Sequence, residues 1–186
     1  MTAVTDFVSV LNMEESLRRR VLEPYTPQSR YVVRATMTQV GNGGSPREED
    51  PTSWLRLDAD CAIGDPVYIE PTGHFNAVEF NITYNQMLYL ALAEAVQRRL
   101  LPDLAHWTLD DFFRAQLPDV LIADYQAKFH HPIRSGDYAG WFSILESTPI
   151  ERSNMLLLRT AAGCSTPAGG HCEARCTIAI VNFKSS

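Results

Sequence analysis

The sequence predicts an α+β fold in which a strongly curved antiparallel sheet wraps round one long buried helix. Three observations lead there. Leu55, Leu57, Ala59, Cys61 and Ile63 alternate with Arg56, Asp58 and Asp60, a period of two that specifies a strand with one face inward. From Thr83 to about Leu100 the period changes: Met87, Leu88, Leu90, Ala91, Leu92, Ala95 and Val96 cover most of a helical circumference, and a helix apolar nearly all round has to be enclosed. Four strand-like runs then follow with no helix between them, whereas an open parallel sheet needs a helix after nearly every strand.

In chain order, a helix is expected from about Asn12 to Leu22, with Asn12 as cap, Glu14 and Glu15 in the first turn, and Pro24 ending it. Tyr31 to Val40 reads as a strand, and the glycine-, proline- and acid-rich stretch Gly41 to Pro51 as the loop leading to the strand at 55–63. Thr83 followed by Gln86 three residues later has the form of a capping box, which starts the buried helix there and puts Asn85 in its first turn. A shorter helix follows at Leu109 to Gln116, stopped by Pro118. The remaining strands are Val120 to Phe129, Tyr138 to Leu145, Met155 to Ala162 and His171 to Phe183. This arrangement, read as one domain over residues 1–186, is the hot-dog fold; a β-sandwich accounts poorly for the helix. Such a sheet leaves an edge that pairing across a two-fold closes, so a homodimer or an assembly of dimers is expected.

The chain has 186 residues and a net charge of −6, which argues against a nucleic-acid footprint. Its one basic cluster, Arg18 to Arg20, reads as the solvated end of the first helix. No apolar run approaches the ~18 residues of a membrane span, and no basic residue precedes Arg18, so a cytoplasmic protein without a secretory signal is expected. Cys61, Cys164, Cys172 and Cys176 form no CxxC pair. A zinc site from Cys164, His171, Cys172 and Cys176 fails on geometry. Cys172 and Cys176 share one face of a strand about 13 Å apart, too far for one tetrahedral ion. Neither a metal nor an organic cofactor is expected.

The common catalytic motifs (nucleophile elbow, P-loop, zinc-protease helix, dinucleotide fingerprint) do not occur. Among the histidines, His74 stands out for its context, Thr72-Gly73-His74-Phe75-Asn76, about ten residues before the predicted helix start. A loop there can return its polar groups to a helix N-terminus, whose unpaired N–H groups and partial positive charge suit a polarised carbonyl oxygen.

On the runs Val21-Leu22-Glu23-Pro24-Tyr25, Gly64-Asp65-Pro66-Val67-Tyr68-Ile69, Thr72-Gly73-His74-Phe75-Asn76-Ala77-Val78-Glu79 and Tyr84-Asn85-Gln86, the chain resembles the FcoT-like family, type III fatty-acyl thioesterases of actinobacteria. The resemblance covers nearly the whole chain, and the TGHFNAVE run is its most distinctive part. It implies a hot-dog fold and a site in which tyrosines and asparagines surround an acyl thioester, here Tyr25, Tyr68, Asn76 and Asn85. It also implies two activities: hydrolysis of an acyl-CoA or acyl-carrier thioester, and, in members of isonitrile-lipopeptide pathways, addition of glycine to the β-carbon of a (2E)-enoyl group on an acyl carrier protein. The Gly-His-Phe run is similar to that of hot-dog hydroxyacyl-carrier dehydratases as well, but the position fourteen residues after the histidine, where they carry an acid, is Leu88.

Hydrolysis needs an activated water or a nucleophile together with an oxyanion hole. Asparagine and tyrosine supply the hole but no base at neutral pH, and Glu79 is the one nearby carboxylate, equally suited to orienting His74 or bonding backbone. Conjugate addition needs a base to deprotonate the glycine ammonium, for which an imidazole is suited, and donors for the enolate, for which Asn76, Asn85 and the helix N-terminus are suited. Glycine addition to an enoyl-carrier thioester is the favoured reading, thioester hydrolysis the alternative and non-catalytic acyl-carrier binding a third. Glycine's carboxylate then needs a partner, for which Lys128, His130 and Arg134 are candidates.

Overall fold

A computed structural model describes residues 8–40, 55–64 and 66–184; the expected loop Gly41 to Pro51 and Asp65 lie outside the described residues. Its strands are β1 (Val8–Asn12), β2 (Val32–Val40), β3 (Leu55–Ile63), β4 (Val120–His131), β5 (Gly136–Ile150), β6 (Met155–Ser165) and β7 (His171–Val181), and its helices α1 (Glu15–Leu22), α2 (Ala77–Gln97) and α3 (Leu109–Ala115). The strands form one sheet in the order β1-β2-β3-β5-β6-β7-β4, every neighbouring pair antiparallel. After β3 the chain leaves the middle of the sheet, crosses its inner face as α2, and returns through α3 to lay β4 on the far edge.

The period-two readings of β3 and β7 hold. Leu55, Leu57, Ala59, Cys61 and Ile63 are buried while Asp58 and Asp60 are exposed, and on β7 Cys172, Ala174, Cys176, Ile178 and Ile180 turn inward. All four thiols are free and buried. Helix α2 packs against β2, β3, β5 and β6. Residues 83–96 of it are buried except Asn85, as its all-round apolar sequence requires. At 21 residues it runs about 31 Å through the core.

β5, at Gly136–Ile150, is longer at both ends than the expected Tyr138 to Leu145, and the starts of the first two helices differ from expectation. Asn12 is the last residue of β1, not a helix cap; α1 starts at Glu15 behind Glu14, which makes no side-chain capping bond. A five-residue edge strand has no local stability, and it forms because β2 supplies partners from Val40 to Thr36. The second of these starts bears on the site. Helix α2 begins at Ala77, with Asn76 as N-cap and Glu79 closing a capping box, and this cap is seven residues before the expected one at Thr83. Thr83 lies inside the helix, where its hydroxyl donates to Glu79 O at 2.8 Å and accepts from Tyr138 across 2.6 Å. Asn-x-x-Glu at 76–79 and Thr-x-x-Gln at 83–86 have the same capping form. Burial of Phe80 against Phe75 and Phe129 selects the first.

Candidate active site

The segment ahead of α2 sets the site by small local devices. Gly73 adopts φ 74°, a left-handed turn that favours glycine. The chain then runs for two residues beside the turn after β4: His74 and Arg134 form an antiparallel bridge, and Phe75 N donates to Ile133 O at 2.8 Å. Phe75 is buried on Phe80 and Tyr138. This anchor lets the next residue, Asn76, enter the cap position with its amide at the helix N-terminus. The Gly-His-Phe-Asn run thus divides its work: glycine turns, phenylalanine anchors, asparagine caps, and histidine is left at the surface.

At the cap, Asn76 Oδ1 accepts from Val78 N at 2.9 Å, and Glu79 Oε2 accepts from Asn76 N at 3.0 Å. The Tyr68 hydroxyl stands 2.9 Å from Asn76 Oδ1 and 2.8 Å from Glu79 Oε1, so its one proton is shared between two acceptors. Glu79 is fully buried yet satisfied, one oxygen on backbone, the other on Tyr68. Of the two roles foreseen for it, bonding backbone is the one the geometry has, and its second partner is Tyr68 rather than His74. The His74 ring instead places Nδ1 3.0 Å from Thr72 O. A backbone carbonyl only accepts, so Nδ1 is the donor there, and in the neutral ring Nε2 carries the lone pair, the tautomer a general base needs.

Directly opposed residues of an antiparallel bridge project their side chains to the same side, about 5 Å apart at Cβ. Arg134 is therefore the one of the three cationic candidates that the fold sets beside His74. Lys128 and His130 are on the other face of β4. Phe129 between them packs on Phe80 of α2, while His130 bonds Glu173 at 3.1 Å and stacks on His171, and Lys128 lines an outer groove with Trp141, Glu173 and Arg175.

Asn85 is two turns further along α2 than its expected place in the first turn, and it donates to Asn81 Oδ1 at 2.9 Å. It does not share the cap with Asn76. Tyr25 also lies away from the cap: half-buried at the end of α1, it is beside Tyr89, a turn beyond Asn85, and burial followed by that neighbouring phenol pushes its pKa up. Burial, and after it the Glu79 hydrogen bond, raises the Tyr68 phenol too. Each phenol keeps its proton at neutral pH and serves as a donor, not a base.

Sequence reasoning missed two residues. Gln86, read only as half of a capping box, is buried and staples β2 to α2: its Oε1 accepts from Tyr31 N at 2.9 Å and Val32 N at 3.1 Å, and its Nε2 donates to Ser29 O. Tyr31, read only as the start of a strand, is set by that staple close enough to Glu79 and Tyr68 for both to act on its phenol. A glutamine in a buried helix was the one available signal, since its amide has to find partners there.

A curved antiparallel sheet round a single helix, with its polar cluster at that helix's N-terminus, defines a hot-dog domain of the thioesterase type. The same fold is seen in the crystal structure of a putative thioesterase from Shewanella oneidensis, with TM-score 0.53 and 9% identity over 90% of this chain and 99% of that one. Residues 20–180 match the FcoT-like thioesterase domain, and the chain belongs to that family. It is 33% identical to the (2E)-enoyl-[ACP] glycyltransferase of Streptomyces coeruleorubidus over 172 residues, 91% of this chain and 98% of that protein. It is 29% identical to the protein of the same name from Mycobacterium marinum over 183 residues, 97% of this chain and 94% of that protein.

Proposed function

We propose that the protein, acting as one domain over residues 1–186, adds glycine to the β-carbon of a (2E)-enoyl thioester carried by an acyl carrier protein. The observation that carries the reading is the His74–Arg134 bridge, two residues ahead of Asn76 in the Tyr68–Asn76–Glu79 cluster. A guanidinium is suited to a carboxylate, and a lone-pair Nε2 on the residue paired with it across the bridge is suited to the ammonium of the same amino acid. The names of the relatives from Streptomyces coeruleorubidus and Mycobacterium marinum support the same substrate pair.

In this reading Arg134 holds the glycine carboxylate and His74 Nε2 removes one ammonium proton. The freed nitrogen lone pair forms the bond to the β-carbon, the alkene π pair moves to the α-carbon, and negative charge develops on the thioester oxygen. Asn76, through its Nδ2 hydrogens, and the N-terminus of α2 stabilise that charge. The imidazolium returns its proton to the α-carbon. Glycine and enoyl thioester combine without loss of any atom, and no external base or oxidant is needed. Asn85, Tyr89 and Tyr25, successive along one side of α2, are assigned to the acyl chain and pantetheine arm rather than to the reacting carbonyl.

We also propose a cytoplasmic homodimer, or an assembly of dimers, formed through β4. That strand is a sheet edge with Leu121, Ile122 and Phe129 exposed, the kind of edge that is covered in a working protein. Among the described residues no helix is long and apolar enough to cross a membrane.

The test offers the protein a (2E)-enoyl-carrier thioester with glycine and, in parallel, a saturated acyl-CoA, following product mass and thiol release. A glycine adduct that is lost in His74→Ala, and that needs far more glycine in Arg134→Gln, is the expected result. Rapid release of thiol from the saturated substrate with no adduct would move the assignment to thioester hydrolysis, which the family's thioesterase description favours.

A further inference from the structure

The donors around the cap differ in what their protons already do. The Tyr68 hydroxyl is engaged by Asn76 and Glu79, and one amide hydrogen of Asn85 by Asn81. Three buried side-chain polar atoms among the described residues have no partner: Tyr31 OH, Tyr125 OH and Ser143 Oγ. Tyr125 packs edge-on against both Phe80 and Tyr84 of α2, and Ser143 is in the middle of β5. Tyr31 is stapled through its N–H to Gln86, which lies on the same face of α2 as Thr83 and Glu79; burial first, then Glu79 and Tyr68, raise its phenol.

Its position is well determined. Tyr31 is 1% exposed, its N–H is taken by Gln86 Oε1, and its carbonyl accepts from Ala62 N at 2.9 Å. The backbone is thus pinned on both sides while the hydroxyl at the far end of the ring is left unpaired. A buried hydroxyl without a partner costs on the order of 1–3 kcal/mol, and native proteins keep few such groups. Tyr68, whose phenol acts on that of Tyr31, is 45% exposed. The unmet acceptor is best supplied by a ligand. A thioester carbonyl oxygen, neutral when it binds, is such an acceptor. Both Glu79 oxygens are hydrogen-bonded and the helix N-terminus faces them, so charge that develops later on that oxygen is tolerated.

We propose that Tyr31 is a further catalytic residue, its hydroxyl donating to the thioester carbonyl oxygen of the bound enoyl substrate and completing the oxyanion site with Asn76. The inference rests on the thioester reading of this site, but not on whether glycine or water is the nucleophile. It makes the pinning by Gln86 part of catalysis, since that glutamine holds Tyr31 in place.

The test compares wild type with Tyr31→Phe, using a (2E)-enoyl pantetheine thioester carrying ¹³C at the carbonyl. Bound without glycine, the wild-type complex should show a downfield carbonyl shift from hydrogen-bond polarisation, and Tyr31→Phe should lose most of it. With glycine present, kcat should fall about 10²-fold, the usual cost of one oxyanion donor, with little change in KM. The melting temperature of Tyr31→Phe should stay level or rise, because the variant removes an unsatisfied group. A purely structural hydroxyl would instead lower it. An unchanged carbonyl shift and turnover in Tyr31→Phe, a fall in melting temperature, or no shift in the wild-type protein at the highest soluble probe concentration would each overturn the inference. A wild-type shift with no glycine adduct would sink the addition reading and leave Tyr31 as the carbonyl donor.

Discussion

The cap role of Asn76 and the oxyanion role proposed for it are separated by a pair of substitutions. Its Oδ1 caps α2 through Val78 N and accepts from Tyr68, while its Nδ2 is the part assigned to the thioester oxygen. Asn76→Ala removes both. Loss of a good cap costs about 1 kcal/mol, in a range of about 0.5–2, and Tyr68 keeps its second acceptor, Glu79 Oε1. A total near 1–2 kcal/mol is therefore expected. In a protein of this size about 1 kcal/mol corresponds to roughly 2–4 °C, so the melting temperature should drop by roughly 2–8 °C. Asn76→Ser keeps a capping oxygen of nearly equal quality and should melt within about 1–2 °C of wild type. Both variants lack the amide hydrogens, and both should lose about 10²- to 10³-fold in kcat. Thermal melts followed by circular dichroism, with adduct formation followed by mass, give the two quantities on the same preparations. Wild-type turnover in Asn76→Ser would refute the assignment of the amide to the oxyanion site. An unchanged melting temperature in Asn76→Ala would refute the cap.

Two further outcomes are expected. The double variant Leu121→Lys/Ile122→Lys should shift the protein from dimer to monomer in light scattering with the fold retained, and a monodisperse wild-type monomer at micromolar concentration would sink the β4 interface. Burial pushes the Cys61 thiol up to about 12 and the Cys176 thiol up to about 11, so native protein should resist a water-soluble thiol reagent at pH 8 and react on unfolding. Above the ordinary thiol value near 9, the unfolded chain loses these protons first and the folded chain keeps them. Stability should accordingly fall as pH rises from about 9 toward 12, and fast labelling of native protein would contradict the buried placement.

How much of this was legible depends on the range over which each feature is decided. The interior of α2 was readable because Met87 to Val96 carry their burial in their own composition, and β3 and β7 because alternation is a local property. The start of α2 was not, since two capping boxes seven residues apart are equally good locally and Phe80, Phe75 and Phe129 choose between them across the fold. That choice moved Asn85 out of the first turn and put Asn76 and Glu79 into it. β1 escaped notice for a related reason: five residues at an edge take their structure from β2.

The sequence by itself determined the class of fold, because patterning is a property of short segments; the context of His74 and the family resemblance pointed to the TGHFNAVE run, with His74, Asn76 and Glu79 in it and Tyr68 ahead of it, as candidates. Only the tertiary structure decided how those members are joined: Glu79 to Tyr68 rather than to His74, Arg134 rather than Lys128 or His130 paired with His74, and Tyr31 with its hydroxyl buried and unpaired. Each of these is a meeting of segments tens of residues apart, fixed by strand register and by the Gln86 staple, and no local pattern encodes which side chains a register brings face to face.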